Sequence, residues 1–203
     1  MKPDTRPMNR SVCLFCSAKE GLPDAAQQLA AEFGAACAAR GMRLVYGGSG
    51  RGLMGVAARA AVAAGGEVLG IMPRHLMRPE HAAADLGTLV IVDTLAERKQ
   101  RMTAEADLFV AIPGGIGTLN ELIEMLTLND LGLQDKAVIL CAEDDFWRPF
   151  VAMIERFRAY GVLRPSVERS LRFAASVEDA MRLIEPLLSA ATSPARAAQS
   201  RGV

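Results

Sequence analysis

The sequence contains no run of 18 apolar residues, although 51% of its 203 residues are hydrophobic, so the apolar content is scattered and a membrane-spanning helix is excluded. It has no net charge either. Lys+Arg 23 against Asp+Glu 23 gives no support to a basic surface for DNA or RNA, although a locally charged cleft stays open. Histidine is scarce: His75 and His81 are too few and too isolated to argue for a metal, and both read as loop or surface residues. The segment Met1–Arg10 is polar, with three basic residues and no apolar core, so neither a signal peptide nor an anchor is expected and the expected compartment is the cytoplasm.

Cysteine is sparse and does not form a recognisable site. Cys13, Cys16, Cys37 and Cys141 lie far apart except for one C-x-x-C spacing, and that pair falls in Ser11–Cys16, an apolar run that reads as a strand. Strand residues three apart point to opposite faces, so the two sulfurs cannot easily meet one metal or each other. A thioredoxin-type motif would need the pair on a loop entering a helix, and no second Cys/His pair completes a zinc site. All four read as structural.

What is present is an alternation of short β-rich runs with longer helical stretches, the pattern of a parallel sheet covered on both faces. The length fits one domain. The expected fold is α/β, a Rossmann-like open parallel sheet with right-handed crossovers, spanning residues 11–188. Six strands are expected, at Val12–Phe15, Arg43–Tyr46, Glu67–Ile71, Thr88–Val92, Leu108–Ile112 and Ala137–Cys141. Six helices are expected, at Asp24–Arg40, Gly52–Ala64, Leu95–Glu105, Gly117–Leu131, Phe146–Tyr160 and Val177–Ser189. Arg40-Gly41 and Ala64-Gly65-Gly66 carry glycine stops. Pro73–Gly87 reads as a loop or short helices at the carboxyl edge of the sheet, where ligands bind. Residues 1–10 are expected to be flexible, and Ser189–Val203 has too little apolar content to pack.

Two glycine-rich segments each follow a strand and open a helix, so both can offer main-chain N–H groups to an anion. The first contains Gly50-x-Gly52-x-x-Gly55, the spacing of a dinucleotide-binding turn. It follows the second strand rather than the first, and the next strand ends Gly70-Ile-Met-Pro-Arg74 without the acid that would hold a ribose, which argues against a nicotinamide cofactor. The second, Ile112-Pro-Gly-Gly-Ile-Gly-Thr-Leu-Asn-Glu121, puts three glycines, a hydroxyl and a carboxylate where a strand meets a helix. Glycine permits close approach to a phosphate, and Thr118 can add a hydroxyl donor. Without Gly-Lys-Ser/Thr it is not a Walker loop. A tight turn that needs glycine for steric reasons alone is the competing explanation. Glu121 fits either a catalytic duty or complementarity to the helix dipole, and Glu97-Arg-Lys-Gln-Arg101 fits either a site or a solvated helix face.

Taken together, Pro113-Gly-Gly-x-Gly-Thr-x-x-Glu121, Glu97-Arg98-Lys99, Tyr46-Gly-Gly and Gly52-Leu-Met-Gly55 resemble the Lonely Guy (LOG) family of cytokinin riboside 5′-monophosphate phosphoribohydrolases, over roughly Val12 to Glu185. The resemblance implies a Rossmann-like homodimer with the active site near the subunit contact, and hydrolysis of the N-glycosidic bond of an adenosine 5′-monophosphate, N6-modified or plain, with no cofactor. It assigns Arg98 and Glu121 as the catalytic pair. Lys99, Gly114, Gly115, Gly117 and Thr118 match nucleotide-holding positions, Glu80 and Thr127 match substrate contacts, and Gly47 and Gly48 are further substrate-binding positions. Members have carried the label "lysine decarboxylase", yet no pyridoxal-phosphate lysine motif is found here. The chain departs from the family at Phe15-Cys-Ser-Ala-Lys19, often Phe-Cys-Gly-Ser-Ser, and at Asn120-Glu121, often two glutamates. A general nucleotide 5′-monophosphate nucleosidase is the alternative enzyme. A non-catalytic nucleotide-sensing or molybdenum-cofactor-carrier-like protein is the alternative binder, against which the presence of both Arg98 and Glu121 argues.

Overall fold

The structure, a computed structural model, describes residues 10–77 and 85–191. Its frame is a seven-stranded sheet: β1 (Ser11–Phe15), β2 (Arg43–Tyr46), β3 (Val68–Pro73), β4 (Thr88–Val92), β5 (Leu108–Ala111), β6 (Val138–Cys141) and β7 (Leu171–Ala174). All pairings are parallel, in the order β4-β3-β2-β1-β5-β6-β7. The chain therefore winds outward from β1 to one edge, returns to the centre and winds outward to the other. The order reverses between β1 and β5, where a crevice opens at the carboxyl ends of the strands.

Among the described residues seven α-helices flank the sheet: α1 (Asp24–Ala39), α2 (Gly52–Ala63), α3 (Leu95–Glu105), α4 (Ile116–Asp130), α5 (Arg148–Ala159), α6 (Pro165–Ser170) and α7 (Val177–Ala191). One face of the sheet carries α1, α2 and α7, packed through Phe33, Cys37, Leu53, Ala57, Ile184 and their neighbours. The other carries α3, α4 and α5, packed through Met102, Leu122, Met125, Phe150 and Ile154. Cys13 belongs to the second core and Cys16 to the first, as the alternation of a strand requires, and all four cysteines are buried and free. The contact between α1 and α2 is close enough that a Cβ on Gly34 would lie 2.1 Å from the Ala57 carbonyl oxygen.

The sequence-based expectations need three corrections. The sheet has a seventh strand, β7, preceded by α6; with only Leu171 and Ala174 buried at its ends, this edge strand lacks the continuous apolar run that marks the others. The helix expected from Phe146 begins as a 3-10 turn at Asp145–Trp147, where Asp144 accepts a hydrogen bond from the Phe146 N–H. Finally, α7 ends at Ala191, two residues past its expected end at Ser189; residues 1–9 and 192–203, which hold most of the two end segments expected to be flexible or unpacked, lie outside the described residues.

Two anchors at the far ends of α3 and α4 fix these helices relative to each other. The Lys136 ammonium, at the entry to β6, donates to the carbonyls of Thr103 at 2.6 Å and Ala106 at 2.7 Å, closing the carboxyl end of α3. Asn129, near the end of α4, exchanges hydrogen bonds with the Lys136 backbone at 2.9 and 3.3 Å.

Candidate functional site

The site assembles around the start of α4. Strand β5 runs into Ile112-Pro113-Gly114-Gly115, and the helix begins with Gly115 as an N-cap that offers no side-chain acceptor. The first intrahelical bond is Leu119 N–H to Gly115 O at 3.0 Å, so the N–H groups before it have no acceptor within the helix. Gly115, Ile116 and Gly117 are exposed, and a Cβ on Gly115 or Gly117 would meet only open space. Thr118 is 3% exposed, and its hydroxyl oxygen occupies the place that a Gly114 side chain would take, 2.1 Å from that Cβ. Gly114 is thus required for the turn itself, while Gly115 and Gly117 keep the approach to the helix end clear.

One turn along, Glu121 points inward at 4% exposure and meets Arg98 from α3, which is 9% exposed. The Arg98 Nη2 lies 3.2 Å from Glu121 Oε1, and its Nε donates to the Ile71 carbonyl at 3.1 Å. The mount for Arg98 is local. Thr94 caps α3 by accepting from the Glu97 N–H at 3.0 Å, and the Glu97 carboxylate accepts from the Asp93 N–H at 2.9 Å. Burial pushes the Glu121 carboxyl up to about 7, against the opposing pull of Arg98 and then Lys99.

Lys99, next to Arg98, is already engaged: its ammonium donates to Asn120 Oδ1 at 3.2 Å and is paired with Glu124. The seam between α3 and α4 therefore carries two pairs, a buried one at Arg98 and Glu121 and a more exposed one at Lys99 and Glu124. In front of Arg98 is a cleft of about 220 Å³ lined by Ala18, Gly47, Ser49, Met54, Met72, Leu76 and the arginine itself. Gly48, at φ +78, turns the chain beneath it, and its Cβ would lie 3.0 Å from the Met72 Cβ.

Arg98, Glu121 and Gly47 thus converge, with Lys99 on the adjoining seam. Thr127 does not join them: six residues past Glu121, it lies about 9 Å further along the helix axis. It is exposed, its hydroxyl donating to Ile123 O at 2.8 Å. Glu80 and His81 lie outside the described residues. Sequence reasoning passed over Asn120, Glu124, Ser49, Met72 and Leu76 as members of the site. Met72, within β3, and Leu76, just after it, carry no local pattern that would mark them; only the tertiary fold brings them to the cleft with Arg98.

The other glycine segment is consumed by packing. A Cβ on Gly52 would lie 2.5 Å from the Ala18 backbone, one on Gly55 would lie 2.0 Å from the Gly50 carbonyl oxygen, and the Met54 N–H is used by Ser17 O at 3.3 Å. Among the described residues no three His, Cys, Asp or Glu side chains are grouped to hold a metal, and no helix is long and apolar enough to cross a membrane.

Comparison with known proteins bears on the whole arrangement. Residues 54–184 match the family model described as "Possible lysine decarboxylase". The chain is 37% identical over 180 residues to the cytokinin riboside 5′-monophosphate phosphoribohydrolase of Rhodococcoides fascians, covering 88% of this chain and 91% of that one. It is 36% identical over 178 residues to the probable phosphoribohydrolase LOGL1 of Oryza sativa subsp. japonica, covering 86% and 78%. Among solved structures, the molybdenum cofactor binding protein of Rippkaea orientalis superposes with a TM-score of 0.68 at 20% identity, over 90% of this chain and 99% of that one, a likeness of fold.

Proposed function

Because this chain belongs to the cytokinin riboside 5′-monophosphate phosphoribohydrolase family, we propose that it hydrolyses the N-glycosidic bond of an adenosine 5′-monophosphate, N6-modified or plain, releasing the free base and ribose 5-phosphate. The observation that carries this reading is the buried pair of Arg98 and Glu121, 3.2 Å apart, one helical turn from an uncapped glycine-rich helix start.

The chemistry follows from that arrangement. Cleavage of an N-ribosidic bond builds positive charge at the sugar's anomeric carbon, so a nearby carboxylate and an oriented water are needed. The N–H groups of the Gly114–Thr118 turn, exposed at Gly115, Ile116 and Gly117, receive the phosphate, aided by the helix dipole, and this remote grip fixes the ribose over Glu121. In its ionised form Glu121 stabilises the developing cation and accepts a proton from the attacking water. Arg98 holds its proton too tightly to act as a general acid. It pulls the Glu121 pKa down against the effect of burial, favouring the ionised form, and fixes the direction of the carboxylate. Lys99 reaches the nucleotide by sharing or leaving Glu124. The lysine-decarboxylase description draws no support from the cleft, where no lysine is among the lining residues.

We also read the chain as a homodimer built on α4. Ile116, Ile123 and Leu131 are 82%, 39% and 56% exposed and recur at helical spacing with Thr127. Such a stripe, running from α4 to its C-cap Leu131, supports a contact with a partner outside the chain. It also gives Thr127 a route to substrate, across the contact, in the neighbouring subunit's site.

The test is to incubate the protein with AMP, N6-isopentenyl-AMP and the corresponding nucleosides. Free base and ribose 5-phosphate are expected from the monophosphates, with the nucleosides far poorer. No base release from either monophosphate would overturn hydrolysis, and equal rates with and without the phosphate would overturn the glycine-turn clamp.

A further inference from the structure

A guanidinium on a long side chain has many rotamers, and burial alone does not choose the one that faces Glu121. Two neighbours select it by attraction: the Ile71 carbonyl holds Nε and Glu121 holds Nη2. A third selects it by leaving room. A Cβ on Gly47 would lie 1.9 Å from Arg98 Nη2, and next nearest would be the flexible tip of Met54 at 2.9 Å. The backbone does not demand glycine there, because Gly47 is not among the glycines with positive φ, whereas its neighbour Gly48 is. Glycine at 47 is therefore explained by the space that the guanidinium fills.

We propose that Gly47 is a positioning residue, its missing side chain forming the seat that holds the Arg98 guanidinium against Glu121. This role differs from the expected one, in which Gly47 serves by touching substrate. The seat is a property of the free protein; only its effect on turnover rests on the reading of Arg98 and Glu121 as the reacting pair.

The experiment is a double-mutant cycle of Gly47→Ala and Arg98→Ala, read first by thermal unfolding without substrate. Gly47→Ala is expected to lower the melting temperature clearly when Arg98 is present and to have little effect once Arg98 is alanine. Equal losses in both backgrounds would overturn the seat. Gly48→Ala, strained by its positive φ, is expected to lose the same in either background; if it too depended on Arg98, the coupling would belong to the whole loop and the proposal would fall. If Gly47→Ala alone does not fold, recovery of soluble protein in the double variant supports the seat, and failure of both overturns it.

Turnover gives the second readout. With the guanidinium displaced, kcat is expected to fall about 100-fold, the scale of an ångström-sized misplacement, with KM within a few-fold. The acid limb of the pH profile should also move upward. Glu121 is faced by Arg98 and Lys99 from α3, by Glu124 on its own helix and by the thiols of Cys13 and Cys16 from the β1 side, and Arg98 is the strongest influence lowering its pKa. A rise in KM with kcat and the pH limb unmoved would return Gly47 to the substrate contacts. A protein inactive on every nucleotide would remove the proposed function while leaving the unfolding cycle to decide the seat.

Discussion

Burial and Arg98 pull the Glu121 carboxyl in opposite directions, and burial wins, raising its pKa from 4.5 to about 7. Stability and activity should therefore respond oppositely to pH. A carboxyl whose pKa is higher in the folded state binds its proton more tightly there. Its contribution to stability is fully present below about 4.5 and is lost as pH rises through about 7. Over the same window the ionised form needed for hydrolysis appears, so kcat/KM should climb while the melting temperature loses this contribution. Glu121→Gln separates the two: turnover should fall about 10²- to 10⁴-fold, nucleotide affinity should hold within a few-fold, and this window should vanish from the stability profile. Unchanged turnover would remove Glu121 from the reaction. At this scale the sequence showed the two charged partners through their motifs but not their depth. Nor did it show that Lys99 is held by Glu124 and Asn120, because those contacts join residues more than twenty positions apart on two helices.

The two helices that meet at the site are mounted differently. Helix α4 starts bare, with a glycine N-cap that leaves its N–H groups for a ligand, whereas α3 starts with a closed cap made by Thr94 and Glu97. The closed cap holds Arg98, one residue beyond, in a fixed first turn. Thr94→Ala should lower stability by about 1 kcal/mol and reduce turnover more than it weakens nucleotide binding, as measured by thermal unfolding alongside kcat and KM. If only stability changed, the cap would serve the helix and not the arginine. Most elements were legible from local pattern: β2, β4 and α3 fall on their expected bounds, the two strands because apolar runs between glycine or charged residues leave little choice. The pair α6 and β7 was not, because a six-residue helix has too few turns to show a period and an edge strand needs few apolar positions.

For the whole molecule, the α4 stripe makes assembly the property most open to test. Ile123→Asp should shift the mass measured by sedimentation or light scattering from dimer to monomer, and should lower activity if Thr127 serves the neighbouring site. A variant that stays dimeric would place the contact elsewhere. The fold class was readable from the alternation of runs, but the position of the crevice depends on strand order, which alternation alone does not dictate.

The central place of β1 also governs how the chain is made. One side of β1 pairs with β2, some thirty residues on, but the other waits for β5, whose Leu108 lies opposite Val12. A ribosome that has released the first hundred residues has therefore produced half a sheet with β1, buried along its whole length in the finished fold, open along one edge. That unfinished edge invites pairing with the wrong chain until β5 emerges. Newly made protein is thus most exposed to aggregation just before the segment bearing the glycine turn and Glu121 leaves the exit tunnel.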